Sequence, residues 1–174
     1  MNLQAKSAVR LLESISDNVG VIEEGVEVAL FPPNTLIYAL KDFLGKGRGS
    51  SNISLGSQNV HWEEEGAYTG ETSVSMLGGL CKYVLVGHSE RRRFFGENNA
   101  KVNRKIRTII KSKLVPVICV GEQATEEDSH GWKVVLATQI SSALYTCGPE
   151  ERYIFAYEPG ASIGTVAGAI AGAL

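Results

Sequence analysis

Five short runs rich in β-branched and apolar residues recur along the chain at close to 30-residue intervals, and this spacing restricts the fold more than any other feature. The runs cover residues 26–31, 53–55, 83–86, 115–120 and 153–156, with starts 27, 30, 32 and 38 residues apart. Segments of helical periodicity fill the gaps. Ala8, Leu11, Leu12 and Ile15 follow i, i+3, i+4, i+7 spacing before the first run. Leu36, Ile37, Leu40, Phe43 and Leu44 follow it, with Asn34 placed to cap that helix. Val102, Ile106, Ile109, Ile110 and Leu114 mark a helix after the third run; Val135, Leu136, Ile140, Ala143 and Leu144 mark one after the fourth. Residues 73–80 are a shorter helix candidate, and residues 46–52 (KGRGSSN) are the most loop-like stretch. Antiparallel strands can be joined by a tight turn, whereas parallel ones need a crossover of about this length. The alternation therefore predicts β-α-β units and a parallel sheet. The runs are nearly continuous in apolar residues, as suits strands covered on both faces. Two architectures satisfy this: an open doubly wound sheet, or part of a (β/α) barrel.

Length and charge narrow the function. A chain of 174 residues is long enough for one domain with a real core. A net charge of −2 gives no basic field to draw in nucleic acid or an anionic lipid surface. No apolar run approaches the roughly 18 residues of a membrane span, and residues 1–10 lack the apolar core of a secretory signal. Cys81, Cys119 and Cys147 are an odd, scattered set without a C-x-x-C pair. That pattern fits reduced thiols in the cytoplasm better than a disulfide frame.

Three ionisable residues stand just beyond three consecutive predicted strands: His88, Glu122 and Glu158. In α/β folds the carboxyl ends of strands are where ligands bind and catalysis occurs. A histidine and a carboxylate meeting there can polarise a carbonyl and move a proton. The plainer readings stay open: Glu122 as an ion-pair partner, His88 as a satisfied residue at a helix start. Residues 160–164 (GASIG) read as a plain loop or as a lid with N–H groups for an anion. His61, Glu63, Glu64 and Glu65 have no tight metal-ligand spacing, so residues 58–71 read as a protruding loop or interface. Glu97, Asn98 and Asn99 read as a cap for the long helix from Val102, and Arg91, Arg92 and Arg93 as solvated or paired helix residues, with phosphate binding as the alternative.

Several stretches taken together resemble the triosephosphate isomerase family. They are residues 58–71 (QNVHWEEEGAYTGE), 83–92 (YVLVGHSERR), 102–106 (VNRKI), 116–122 (PVICVGE), 156–159 (AYEP) and 163–165 (IGT), in the family's order and near its spacing. The resemblance implies a (β/α)8 barrel, here incomplete, with about five parallel strands and helices on the outer face. It implies interconversion of dihydroxyacetone phosphate and glyceraldehyde 3-phosphate, without cofactor or metal. By that resemblance Glu158 is the catalytic base and His88 the neutral electrophile. Glu90 is the acid beside the family's catalytic lysine, and Gly164 a substrate-phosphate contact in the closing loop. Arg92 and Glu122 support the base and its loop. Thr69 sits in a loop that reaches a partner in a homodimer. A phosphorylated triose is the expected substrate, in glycolysis and gluconeogenesis.

The sequence also departs from the family. It opens just after the position where the family's substrate-contacting lysine would stand, and nothing after residue 165 matches the family's two phosphate-binding turns. The chain therefore reads as truncated at both ends. Ala161 replaces the lid tryptophan, and Val166 the hinge glycine. A β-branched residue tolerates φ > 0 poorly. Residues 76–82 (MLGGLCK) run one residue short of the family pattern, and residues 167–174 (AGAIAGAL) resemble no family helix. Removing one preorganised donor from such a site costs about 3–4 kcal/mol of transition-state stabilisation. Impaired activity is the expectation. The alternative is an inactive partial barrel that persists as a fold remnant or assembles through residues 66–71.

Overall fold

The computed structural model describes residues 2–19, 26–48, 52–122 and 131–159. They fall into two compact units, Met1–Val84 and Leu85–Leu174.

In the first unit, helix α1 (Ala5–Val19) buries Ala8, Leu12 and Ser16, a stripe four residues apart. Leu11, expected on that stripe, is 50% exposed, since neighbouring residues on a helix point about 100° apart. Strand β1 (Val28–Leu30) runs parallel to β2 (Ile53–Ser57), with Val28 opposite Ile53 and Leu30 opposite Leu55. The start of β3 (Tyr83–Val86) pairs parallel to β2 through Gly56↔Tyr83 and Ser57↔Val84. Gly56 must stay bare, because a Cβ there would stand 2.2 Å from the Phe31 ring. Helix α2 (Ile37–Phe43) packs on α1 and β2 through Ile37, Leu40 and Phe43. It is entered by a tight turn at Asn34–Leu36 and continued by a wider one at Leu44–Arg48.

Asn34 does not cap that helix. The cap position of α2 belongs to Leu36, and that of the tight turn before it to Pro33; neither side chain has an acceptor. The Asn34 amide instead accepts from the Ser57 hydroxyl at 2.8 Å and donates to that of Thr72 at 3.0 Å. Two long-range partners outcompete a local one, and they tie both ends of the 58–72 loop to α2. The candidate at 73–80 shortens to α3 (Val74–Leu77), halted by Gly78 and by Gly79 at φ +73. At the amino ends of the strands, Glu27 accepts from Ser54, Lys82 and Tyr83.

In the second unit, α4 (Ser89–Phe95) and α5 (Asn99–Lys111) lead from the end of β3 to β4 (Val115–Val120). Helix α6 (Trp132–Ala143) then precedes β5 (Ile154–Tyr157). Strands β4 and β5 are parallel, in register from Val117↔Ile154 to Val120↔Tyr157. Helices α5 and α6 pack on each other and on β4. Val86, Val102, Ile106, Ile109, Ile118 and Val120 form this unit's core.

Two expectations are corrected here. Strand β5 lies one residue later than the run at 153–156, and Ile154 and Tyr157 are 42% and 47% exposed. Burial on both faces holds for β4 but not for β5. Glu97 is not part of a helix cap: Asn98 alone caps α5, its side chain accepting the Lys101 N–H at 3.0 Å. Glu97 is buried instead, because two cations enclose it.

Candidate active site

Everything that positions His88 follows from the end of β3. Gly87 turns the chain at φ +74, a conformation side chains resist, and His88 then opens α4 as its N-cap residue. The His88 Nδ1 accepts the Glu90 N–H at 3.3 Å. An imidazole nitrogen that accepts carries no proton, so in the neutral ring the hydrogen sits on Nε2. That nitrogen lies 3.0 Å from Glu158 Oε1. The other carboxylate oxygen of Glu158 accepts the Ser89 N–H at 2.9 Å. The histidine and the carboxylate singled out from the sequence therefore meet directly.

Their electrostatics follow from this contact. The hydrogen bond to Glu158 raises the His88 pKa above its usual value, against the opposing effect of burial. Burial pushes the Glu158 carboxyl upward, but His88 and the Ser89 N–H outweigh it and hold its pKa below the ordinary carboxylate range. The pair thus favours charge while the two groups touch. A ligand oxygen that took the Nε2 hydrogen would separate them, remove the main cause of the raised histidine pKa, and free the carboxylate.

A second layer holds Gly87. Its N–H donates to Glu97 Oε1 at 2.8 Å, and its carbonyl accepts from Arg92 Nε at 2.7 Å. Arg92 Nη1 reaches Asn99 at 2.8 Å, while Nη2 is buried without a partner among the described residues. Glu97 also takes Arg91 at 2.9 Å and Lys105 at 2.6 Å. Burial works to raise the Glu97 pKa, yet Lys105, Arg91 and the Gly87 N–H together keep it low.

Beyond β4, Glu122 is buried and accepts from the Tyr157 hydroxyl at 3.1 and 3.3 Å. The Glu158 N–H donates to Val120 O at 2.8 Å, continuing the β4–β5 ladder one step past the strand. Gly121 lies flat against the Glu158 backbone.

The remaining candidates lie elsewhere. Glu90 is mostly exposed, its carboxylate 4.0 Å from His88 Nδ1. Thr69 is exposed in the first unit's long loop. In that loop His61 is buried, stacked on Trp62 with centroids 4.2 Å apart. Gly164, Ala161, Val166 and the 160–164 and 167–174 segments lie outside the described residues. The sequence reading misassigned Glu97 and passed over Gln139 of α6, whose side-chain amide accepts the Gly121 N–H and donates to the Gly121 carbonyl, both at 2.9 Å. One signal pointed to Glu97: Lys105 falls on the apolar stripe of Val102, Ile106 and Ile109, and a buried lysine requires an acid. Gln139 carried a similar signal, a polar residue on the buried face of α6.

Parallel strands alternating with helices, and a histidine–carboxylate pair past their carboxyl ends, fit a protein of the (β/α)-barrel class. Comparison with known proteins narrows that class. The family model described as triosephosphate isomerase matches residues 1–171. A triosephosphate isomerase of Dehalococcoides mccartyi is 41% identical over 169 residues, covering 95% of this chain and 63% of the relative. That of Alkaliphilus oremlandii is 39% identical over 168 residues, covering 95% and 65%. The crystal structure of triosephosphate isomerase from Bartonella henselae superposes with a TM-score of 0.82 at 35% identity, over 92% of this chain and 65% of that one. The chain belongs to the triosephosphate isomerase family. It spans a little under two thirds of the length of these relatives, and its fold corresponds to that part of their barrel, with five strands among the described residues.

Proposed function

We propose that the protein interconverts dihydroxyacetone phosphate and glyceraldehyde 3-phosphate by proton transfer, with Glu158 as base and His88 as electrophile. The observation that carries this reading is the 3.0 Å contact between His88 Nε2 and Glu158 Oε1 beyond β3 and β5. Glu158 removes a proton from the carbon beside the carbonyl. The Nε2–H of His88 hydrogen-bonds to the carbonyl oxygen as negative charge develops on it. The protonated Glu158 then returns the proton to the neighbouring carbon. Before that return, the enediolate's two oxygens exchange a proton: His88 Nε2 gives its hydrogen to the former carbonyl oxygen and takes the one on the neighbouring hydroxyl, so that atoms and electrons balance within the substrate. For this to occur the carboxylate must leave His88, since both substrate and base need the space between them.

In this reading Arg92 anchors the Gly87 turn and Glu122 the residue before the base. Glu90 serves as a neighbouring acid, Gly164 as a phosphate contact, and the loop carrying Thr69 as the contact in a homodimer. A glycolytic and gluconeogenic role in the cytoplasm accompanies the same proposal. Among the described residues no helix is long and apolar enough to cross a membrane.

The test is a coupled assay with glyceraldehyde 3-phosphate on the protein and on Glu158→Gln and His88→Gln. Loss of a general base lowers kcat by about 10²–10⁴-fold. Equal turnover by the protein and Glu158→Gln would overturn the assignment.

A further inference from the structure

Strand β4 ends at Val120, and the next residue, Gly121, lies where the base passes closest to the sheet. A Cβ on Gly121 would stand 1.9 Å from the Glu158 carbonyl oxygen and 2.8 Å from its carbonyl carbon. No side chain fits in that gap, so the position of the Glu158 backbone depends on the position of Gly121. One side chain fixes Gly121. Gln139, buried on α6, accepts the Gly121 N–H through Oε1 at 2.9 Å and donates from Nε2 to the Gly121 carbonyl at 2.9 Å. A single primary amide thereby satisfies both polar groups of the residue, as a neighbouring strand would. The Glu158 N–H is held at the same time by Val120 O at 2.8 Å.

We propose that Gln139 is a positioning residue for the reaction. It fixes Gly121 and, through the bare face of Gly121, sets where the Glu158 carboxylate stands relative to His88. The proposal rests on the reading of Glu158 as the base. Its chemistry is specific to a primary amide, which alone among side chains of this reach offers one donor and one acceptor side by side. Leucine has neither. A carboxylate keeps the acceptor for the Gly121 N–H but repels its carbonyl. Without the amide, the turn after β4 is free to tilt, and the carboxylate moves with it. Displacements of about 1 Å cost on the order of 10²-fold in rate when they misplace a reacting group.

The experiment measures kcat and KM for Gln139→Leu and Gln139→Glu beside Glu158→Gln, in samples that melt cooperatively. It also records the imidazole N–H proton resonance of His88, which reports the contact with Glu158. Gln139→Leu is expected to lose kcat by about 10–10²-fold, with KM within about twofold and a displaced His88 resonance. Gln139→Glu, the smaller change in shape, is expected to show the same split, and it keeps the test decisive should the leucine variant not fold. Wild-type kcat with an unmoved resonance, in whichever variant folds, overturns the proposal. So does a loss confined to KM. If Glu158→Gln is inactive while the Gln139 variants match wild type, only the positioning role fails. If Glu158→Gln retains full activity, the base assignment fails and the positioning role with it.

Discussion

The N–H of Gly87 donates to the Glu97 carboxylate at 2.8 Å, one residue before His88. Glu97 is thus bound at once to the turn that aims the histidine and to two cations on the helices behind it. Its side chain is 2% exposed, and that of Lys105 is 4% exposed. Breaking a buried pair by neutralising one partner costs about 3–5 kcal/mol, because the remaining charge is left uncompensated. Glu97→Gln should lower the unfolding free energy by about that amount in urea titration. The pH dependence has a definite sign. The folded pKa of Glu97 lies below its ordinary value of 4.5, so its stabilisation is present above that pH and is lost as pH falls through the depressed value. The variant should accordingly lose less stability than the wild type on acidification from neutral pH.

Gly87→Ala should be costly for two reasons that add. The residue sits at φ +74, and a Cβ there would stand 2.9 Å from Arg92 Nη2 and 3.0 Å from Cys119 O. Strain of this kind costs about 1–3 kcal/mol. The expected result is a lower Tm together with reduced kcat, because His88 is the next residue. A variant with unchanged melting and kinetics would show that the turn is soft.

Glu158→Gln should shift the titration of His88 to lower pH. The hydrogen bond from His88 to Glu158 is the largest cause of its raised pKa, and burial opposes it. With the carboxylate replaced, burial dominates and the neutral ring extends to more acidic pH. Heteronuclear NMR of the imidazole nitrogens should also find the proton on Nε2, since Nδ1 accepts from Glu90 N–H. Protonation of Nδ1 alone in the neutral ring would contradict the hydrogen-bond assignment.

The three thiols should label in a set order. Cys147 is part-exposed, Cys81 and Cys119 are buried, and all three are free. Burial pushes the Cys81 pKa up to about 11 and that of Cys119 further still. Since the thiolate is the reactive form, a neutral alkylating reagent should modify Cys147 first in the native protein, and Cys119 only on unfolding. Peptide mapping after timed quenching measures this. Early modification of Cys119 would mean that β4 opens locally.

Much of the site was legible because it lies at boundaries. Strands β3 and β4 are apolar runs stopped by Gly87 and Gly121, and an ionisable residue one or two positions past such a stop is conspicuous. His88 and Glu122 were visible for that reason, and Glu158 because it follows directly on β5. Gln139, Glu97 and Asn34 were not read correctly, because what each does depends on a partner distant in sequence. A glutamine on a helix or an acid before an asparagine pair has an ordinary local explanation, and only tertiary packing replaces it. The one-residue offset of β5 has the same origin. Tyr153 and Tyr157 both suit a strand, and pairing with β4 rather than propensity decides between them.

That pairing also decides which changes in chain length the protein can accept. Successive residues of an extended segment face opposite ways, so Tyr157 and Glu158 project to opposite sides. One added residue within β5 would preserve the hydrogen bonds to β4 yet swing a phenol ring toward His88 and turn the carboxylate away. Two added residues would restore the parity. Insertions within β5 are therefore governed by odd and even, and not by size alone.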